Sequence, residues 1–312
     1  MMGNRPMMRR TFDSVSILSA LHSRQYIPRQ AGYVAPFHIS PVSKRGQRIQ
    51  NICASCVDYH LGDHADRSAV IWRGAGNTPN GRMSYRKLHE RACRLANTLQ
   101  DQGVQRGDRV AIHLPLIAES IVAVLACMRI GAVHVVLPTH LDARALAEQL
   151  GDCGATAILT GDQIRCDTGP VPLKVTLDTA LDMEVGHSRI NTVLVVTINK
   201  TTVPMQSGRD HRYDAVVDWY EPDYAPVAMY ENDPLFMLYP NDRPGGFGTV
   251  KYTAGEYSRL ADYTMDMLAS DRNGGALPGM LDMTWNTGQT ALVAGVLAKG
   301  GTLTLSAGLP AS

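Results

Sequence analysis

One stretch of the chain has the residue types and order to meet a phosphate. Leu235–Tyr239 is an apolar run that reads as a strand. It leads without a break into Pro240, Asn241, Asp242, Arg243, Pro244, Gly245, Gly246, Phe247, Gly248, Thr249, Val250 and Lys251. A strand that runs into a glycine-rich turn presents backbone N–H groups to anionic oxygens, and a nearby Arg or Lys adds charge. The stretch departs from the Walker spacing Gly-x-x-x-x-Gly-Lys-Ser/Thr, and Pro240 and Pro244 each remove an N–H donor. On its own residues it reads as a structural turn.

Other chemistries have thinner support. Cys53 and Cys56 form a Cys-x-x-Cys, but no second pair and no His-x-x-x-His follows at zinc-ligand distance, so no metal site is assigned. They read as two small residues near the start of a helix, and all 6 cysteines read as reduced thiols. His113 and His134 fall in apolar strands and read as core residues. Asp242 and Glu256 flank the glycine-rich turn, but paired-carboxylate catalysis needs a separation that spacing alone does not fix. No Ser-His-Asp arrangement emerges, and no catalytic residue is assigned.

The elements that would position these residues alternate. From residue 66 on, short Val-, Ile- and Leu-rich runs alternate with segments of helical period, which predicts an α/β fold with a doubly wound, largely parallel sheet. Strands are expected at Ser68–Trp72, Arg109–Leu114, Ala132–Leu137, Ala155–Leu159, Thr192–Ile198, Leu235–Tyr239 and Thr302–Leu305. Ser84 caps a helix with Tyr85, Leu88, Ala92, Leu95, Ala96 and Leu99 on one face, and Gly103 ends it. Helices follow at Ile117–Arg129, after Asp142, near Gly255–Ser270 and at Gln289–Lys299. Residues 160–190 read as irregular and 199–233 as a long surface excursion. The last strand lies close to Ser312, which predicts an incomplete domain that something else covers.

Composition narrows the class. The chain has 312 residues and a net charge of +1, which gives no case for a nucleic-acid partner, and its apolar runs are too short to span a membrane. Residues 1–50 are different: eight Arg and Lys against Asp13 alone give +7. They read either as a basic arm, with the protein in the cytoplasm, or as a leader to the mitochondrion.

Several blocks carry a family resemblance. Asn51–Asp58, Ser84–His89, Gly103–Ile112 and Leu125–His134, then Asp233–Tyr239 and Trp285–Gly288, together resemble the acetyl-CoA synthetases, AMP-forming acyl-CoA synthetases of the adenylate-forming superfamily. The resemblance covers about residues 50–310. It implies that the basic arm or leader at 1–50 is followed by a partial AMP-binding domain at 51–312, the N-terminal region of the ligase fold without its second half and lid. It also implies the family reaction: ATP and magnesium activate acetate to acetyl-AMP, and the acetyl group passes to coenzyme A.

The departures are concentrated where the ligands would sit. The family carries Thr-Ser-Gly-Ser-Thr-Gly-Lys-Pro-Lys-Gly where this chain has Pro240–Thr249, and only Gly245 is retained. Four hydroxyl-bearing positions are now Pro240, Asn241, Arg243 and Pro244, both lysines are glycine, and Asp242 adds a negative charge. By the resemblance, Arg165 takes the place of the first of two arginines that meet the coenzyme A phosphate, and the second has no basic counterpart near Thr168. Pro138–Asp142 replaces Phe-Gly-Gly-Phe-Ser, removing glycines that allow close backbone approach. Trp285 and Thr287 match the wall of the acyl pocket, with Asn286 in place of valine. The resemblance thus implies a ligase-like protein that is inactive alone. The alternatives are a non-catalytic module that docks on a full-length synthetase or on a separate second half, and a decayed gene fragment.

Overall fold

The Val- and Ile-rich runs line up as one sheet in the computed structural model, which describes residues 46–73, 80–166, 169–183, 189–239, 249–259, 261 and 295–306. Its strands are β4 (Arg109–His113), β5 (Val133–Val136), β6 (Ala157–Gly161), β9 (Thr192–Val196), β10 (Asp210–Arg212), β12 (Pro234–Leu238) and β13 (Val250–Thr253). Their order is β10-β9-β6-β4-β5-β12-β13, and every neighbouring pair is parallel except β12–β13. The doubly wound, largely parallel α/β architecture is therefore present.

Both faces of the sheet are covered, which is why its strands are apolar at nearly every position. On one face α2 (Tyr85–Asp101) and α3 (Ala118–Ile130) join Val110, Ile112, Leu159 and Leu194 in a core cluster. On the other, α4 (Ala143–Cys153) and α5 (Leu173–Leu181) pack Leu146, Leu150 and Leu177 against Ala111, Val135, Ile158 and Val193. α2 buries one stripe, whereas α3 buries Ala118 and every residue from Ser120 to Ile130, as a helix enclosed by protein must. Ser84 Oγ accepts from Lys87 N at 3.2 Å and Asp142 Oδ1 from Ala145 N at 2.8 Å, the two predicted N-caps. Gly131 closes α3 at φ 73°, a left-handed position that suits glycine.

Three features depart from the pattern read in the sequence. The strand expected to open the wound sheet, β2 (Ser68–Arg73), lies instead in a separate three-stranded sheet. There it pairs antiparallel with β3 (Gly81–Ser84) and parallel with β14 (Leu303–Ser306). The short link from β2 to β3 closes a hairpin, whereas joining a parallel sheet would need a crossover. Residues 160–190 hold a hairpin of β7 (Ile164–Cys166) and β8 (Gly169–Val171) and then α5, elements too short for periodicity to reveal. The excursion at 199–233 contributes β10, α6 (Tyr213–Val217) and β11 (Met229–Tyr230), and β11 pairs with β1 (Arg48–Ile49) from the end of the basic segment. No helix among the described residues is long and apolar enough to cross a membrane.

Candidate functional site

In a doubly wound sheet, ligands meet the carboxyl ends of the strands where the chain's connections diverge. Here β4 leads through α3 to β5 while β6 leads away toward β9, so that divergence lies between the ends of β4 and β6. His113 and Thr160 are register partners there, both fully buried, with Nδ1 and Oγ1 3.3 Å apart. Burial pushes the His113 pKa down to about 4, so the ring is neutral near pH 7, and its Nε2 has no hydrogen-bond partner among the described residues.

Just past β6, Asp162 fills a nest of amides with the protein's own carboxylate. It accepts from Gln163 N at 2.7 Å, Ile198 N at 2.9 Å, Asn199 N at 3.1 Å and Thr201 N at 2.8 Å. The four donors that an incoming anion could have used are already satisfied. Arg165 follows on β7, exposed on the short hairpin opposite Pro170.

The stem of the glycine-rich stretch stands at the carboxyl end of β12, beside β5. Tyr239 Oη lies 2.7 Å from Asp152 Oδ2 and 3.0 Å from Gln149 O, and Thr249 Oγ1 approaches the same Asp152 oxygen at 2.5 Å. One carboxylate at the end of α4 thus ties the residue before the loop to the residue after it. Burial drives the Tyr239 phenol upward, and the neighbouring Cys153 and Asp152 add to the shift. Lys251, two residues beyond the stem, is held below the ordinary lysine range by burial and by Arg109, against the pull of Asp152. Of the loop positions singled out, Pro240, Asn241, Asp242, Arg243, Pro244 and Gly245 lie outside the described residues, as do Trp285, Asn286 and Thr287.

Glu256, the second carboxylate flanking the turn, belongs to a helix start. Its Oε2 accepts from Thr253 N at 2.9 Å while Thr253 Oγ1 accepts from Glu256 N at 3.3 Å, a capping box on the helix at 254–259. His134 stacks on Phe236 at 5.5 Å, and Phe236 in turn stacks on Tyr252 at 4.6 Å.

A second polar cluster, which composition does not single out, joins α1 (Ile52–Cys56), α2 and α3. Arg129, buried within the apolar α3, forms a two-pronged pair with Asp58: Nη1 to Oδ2 at 2.7 Å and Nη2 to Oδ1 at 2.9 Å. Its Nε donates to Tyr224 O at 2.6 Å and Nη1 reaches Cys53 Sγ at 3.5 Å. His89 Nε2 lies 3.2 Å from Arg129 Nη2, 3.6 Å from Asp58 Oδ1 and 3.5 Å from Cys93 Sγ. Burial raises the Asp58 carboxyl, but His89 and Arg129 more than offset it and hold it at about 2.

The Asp58 carboxylate and Cys93 push His89 up to about 9, against burial and Arg129. Cys, His and Asp are together, but Asp58 and Cys93 both crowd Nε2, and Cys93 Sγ is also 3.9 Å from Nδ1, so the two do not flank the ring from opposite nitrogens as in a catalytic triad. Burial pushes the Cys53 thiol up to about 12 and the Cys56 thiol well above its ordinary value, so neither is a thiolate near pH 7. The sequence did hold a signal for this cluster: Asp58 and Arg129 sit inside the resembling blocks, and Arg129 is a charge in an otherwise apolar helix.

Comparison with known proteins bears on this frame. The family model described as AMP-binding enzyme matches residues 57–240. An acetyl-coenzyme A synthetase of Brucella anthropi is 38% identical over 263 residues, covering 84% of this chain and 40% of the relative. Another, of Nostoc linckia, is 37% identical over 262 residues, covering 84% of this chain and 77% of the relative. A solved acyl-CoA synthetase of Brucella canis superposes with a TM-score of 0.65 at 22% identity, over 85% of this chain and 44% of that one. The chain thus spans about 40% of the length of relatives such as the Brucella anthropi protein.

Proposed function

The chain belongs to the AMP-binding enzyme family as an acetyl-CoA synthetase-like adenylate-forming domain, and from that premise we propose that it does not carry out the ligase reaction on its own. The reaction in view is activation of acetate by ATP and magnesium to acetyl-AMP, followed by transfer to coenzyme A. The domain occupies residues 51–312, preceded by a basic arm at 1–50, in the cytoplasm or, where the arm acts as a leader, the mitochondrion.

One feature supports this reading: by the resemblance, Pro240–Thr249 stands without a gap where the family has hydroxyls and lysines around a triphosphate. Adenylation needs donors held around the phosphates as charge moves from the α-phosphorus to pyrophosphate. Removing a charge-assisted hydrogen bond costs about 1.5 to 3 kcal/mol, and each 1.4 kcal/mol is about tenfold in rate, so removing several lowers the rate by many orders of magnitude. Arg165 is the remaining basic group proposed for the coenzyme A phosphate, and Trp285, Asn286 and Thr287 for the acetate pocket. Gly245 and Thr287 are the retained nucleotide-side positions.

The test is ATP–pyrophosphate exchange with acetate and magnesium at high protein concentration. A rate equal to the protein-free blank is expected, and an acetate-dependent rate above it would reject the proposal. A second reading is favoured by β14, which pairs with β2 on one edge and has no partner on the other among the described residues. Such an edge invites addition of a strand from a separate second half or from a full-length synthetase. Co-elution with a full-length relative would support that module, whereas a monomeric profile in the mixture would leave the decayed-fragment reading.

A further inference from the structure

A groove of about 560 Å³ lies between the small sheet and the start of α2, lined by Trp72, Arg82, Lys87, Arg91, Arg94 and Glu119 among others. A second hollow of about 330 Å³ shares Arg82 and Lys87 with it. Lys87, Arg91 and Arg94 recur along one face of α2, and Arg82 reaches the groove from β3. These four cations are not equally engaged. Arg91 is neutralised by Asp218 at 2.5 Å and Asp214 at 3.7 Å. Arg94 donates to the carbonyls of Asp218 and Tyr220 and has no carboxylate within ion-pair distance among the described residues. The Arg82 side chain is exposed and makes neither a hydrogen bond nor an ion pair among the described residues. Lys87 touches Glu90, which lies outside the groove lining, and its side chain is 55% exposed. Glu119 also lines the groove and makes no ion pair among the described residues; burial raises its carboxyl toward the neutral form, against the pull of Arg91.

The start of α2 adds a second, independent indication. Its first turn holds Arg86 and Lys87 and no acid, although the helix dipole favours negative charge there. With Ser84 as cap, Lys87 stands where a Glu would complete a capping box. Local helix stability thus argues against the cation the groove has at 87. Trp72 supplies a flat wall: its indole lies so close on Gly81 that a Cβ there would sit 2.1 Å from the ring. The volume suits a small molecule rather than a chain segment.

The geometry points to a binding site for a small diphosphate, with the anion on Arg82 and Lys87 and, where the ligand carries a ring, that ring beside Trp72. The diphosphate could be inorganic pyrophosphate or belong to a nucleotide. Calorimetric titration of the whole chain with pyrophosphate and, separately, with ADP, both at fixed ionic strength, tests the site. Saturable binding of at least one is expected, weakened at least tenfold in Arg82→Glu and in Lys87→Glu. Lys87→Glu should at the same time keep the unfolding midpoint within about 2 °C of the parent, because completing the cap offsets the lost pair with Glu90, so weakened binding cannot be put down to misfolding. Tighter binding of ADP that weakens in Trp72→Phe assigns a nucleotide; equal binding of both assigns the bare diphosphate. No saturable binding overturns the proposal. So does binding unchanged in both charge reversals, which would direct the ligand to another site such as 240–249.

Discussion

The cluster around Arg129 and the stem around Asp152 both rest on one ionised side chain, but they are finished differently. Around Arg129 the partners all belong to the protein: Asp58 on two prongs, Tyr224 O, and Cys53 and His89 beside them. At the stem, Asp152 holds two hydroxyls, and the residues between them are the ones proposed above to face a phosphate. Contacts that join protein to protein are required for the fold itself. Contacts that await a ligand leave their other half in solution, so proline or aspartate can replace them without unfolding anything. Under the proposed reading, the difference would let a chain keep the family match over residues 57–240 while Pro240–Thr249 departs from the family's phosphate loop.

The largest test of that contrast removes Arg129. Arg129→Ala strips a guanidinium that is 1% exposed, leaves Asp58 facing a gap and frees the carbonyl of Tyr224. Breaking a buried pair from one side costs about 3 to 5 kcal/mol, so the denaturant midpoint should fall sharply or the chain should be recovered unfolded. A loss below about 1 kcal/mol, the size of a surface pair, would show that the cluster is incidental to the fold.

The same cluster predicts how stability depends on pH. His89 has its folded pKa raised to about 9 from 6.5, so its contribution is complete below about pH 6.5 and is lost as pH climbs toward 9. Asp58 has the opposite sign: its contribution is present above the ordinary carboxylate value and is lost as pH falls toward 2. Between pH 6.5 and 9 the chain should lose about 1 to 2 kcal/mol, and His89→Gln should flatten that slope. An unchanged slope in the variant would assign the pH dependence to another group.

How far each region could be read beforehand follows from the range of the forces involved. The strands and helices of the main sheet are legible because burial on both faces imposes a local pattern, as at Arg109–His113 and Ala118–Ile130. The placement of β2 was not, because a strand's partners are set by the hairpin to β3 and by β14, over 200 residues away, and neither affects the pattern within Ser68–Arg73. The hairpin β7–β8 was missed because three-residue strands carry no periodicity. At the site, residue types alone read 240–249 as a turn, and its departure from a phosphate loop is legible only against the family resemblance. Asp152 and Asp162 were not legible, since an acid at the end of a helix or strand looks the same in sequence whether it faces water or accepts from four amides.

The smallest test returns to the stem. Asp152→Ala removes the acceptor shared by Tyr239 and Thr249 but leaves Gln149 O for the buried Tyr239 hydroxyl, while Thr249 can turn to water. Only one hydrogen bond then goes without replacement, and stability should fall by about 1 kcal/mol, well short of Arg129→Ala. Protease cleavage between Tyr239 and Thr249 should quicken more than that loss alone explains, because the clamp that joins the two ends of the loop is gone. If Asp152→Ala instead matched Arg129→Ala in the denaturant midpoint, the stem would be part of the protein's own framework. The separation drawn between contacts that hold the fold and contacts that await a ligand would then fail at the place where it matters most.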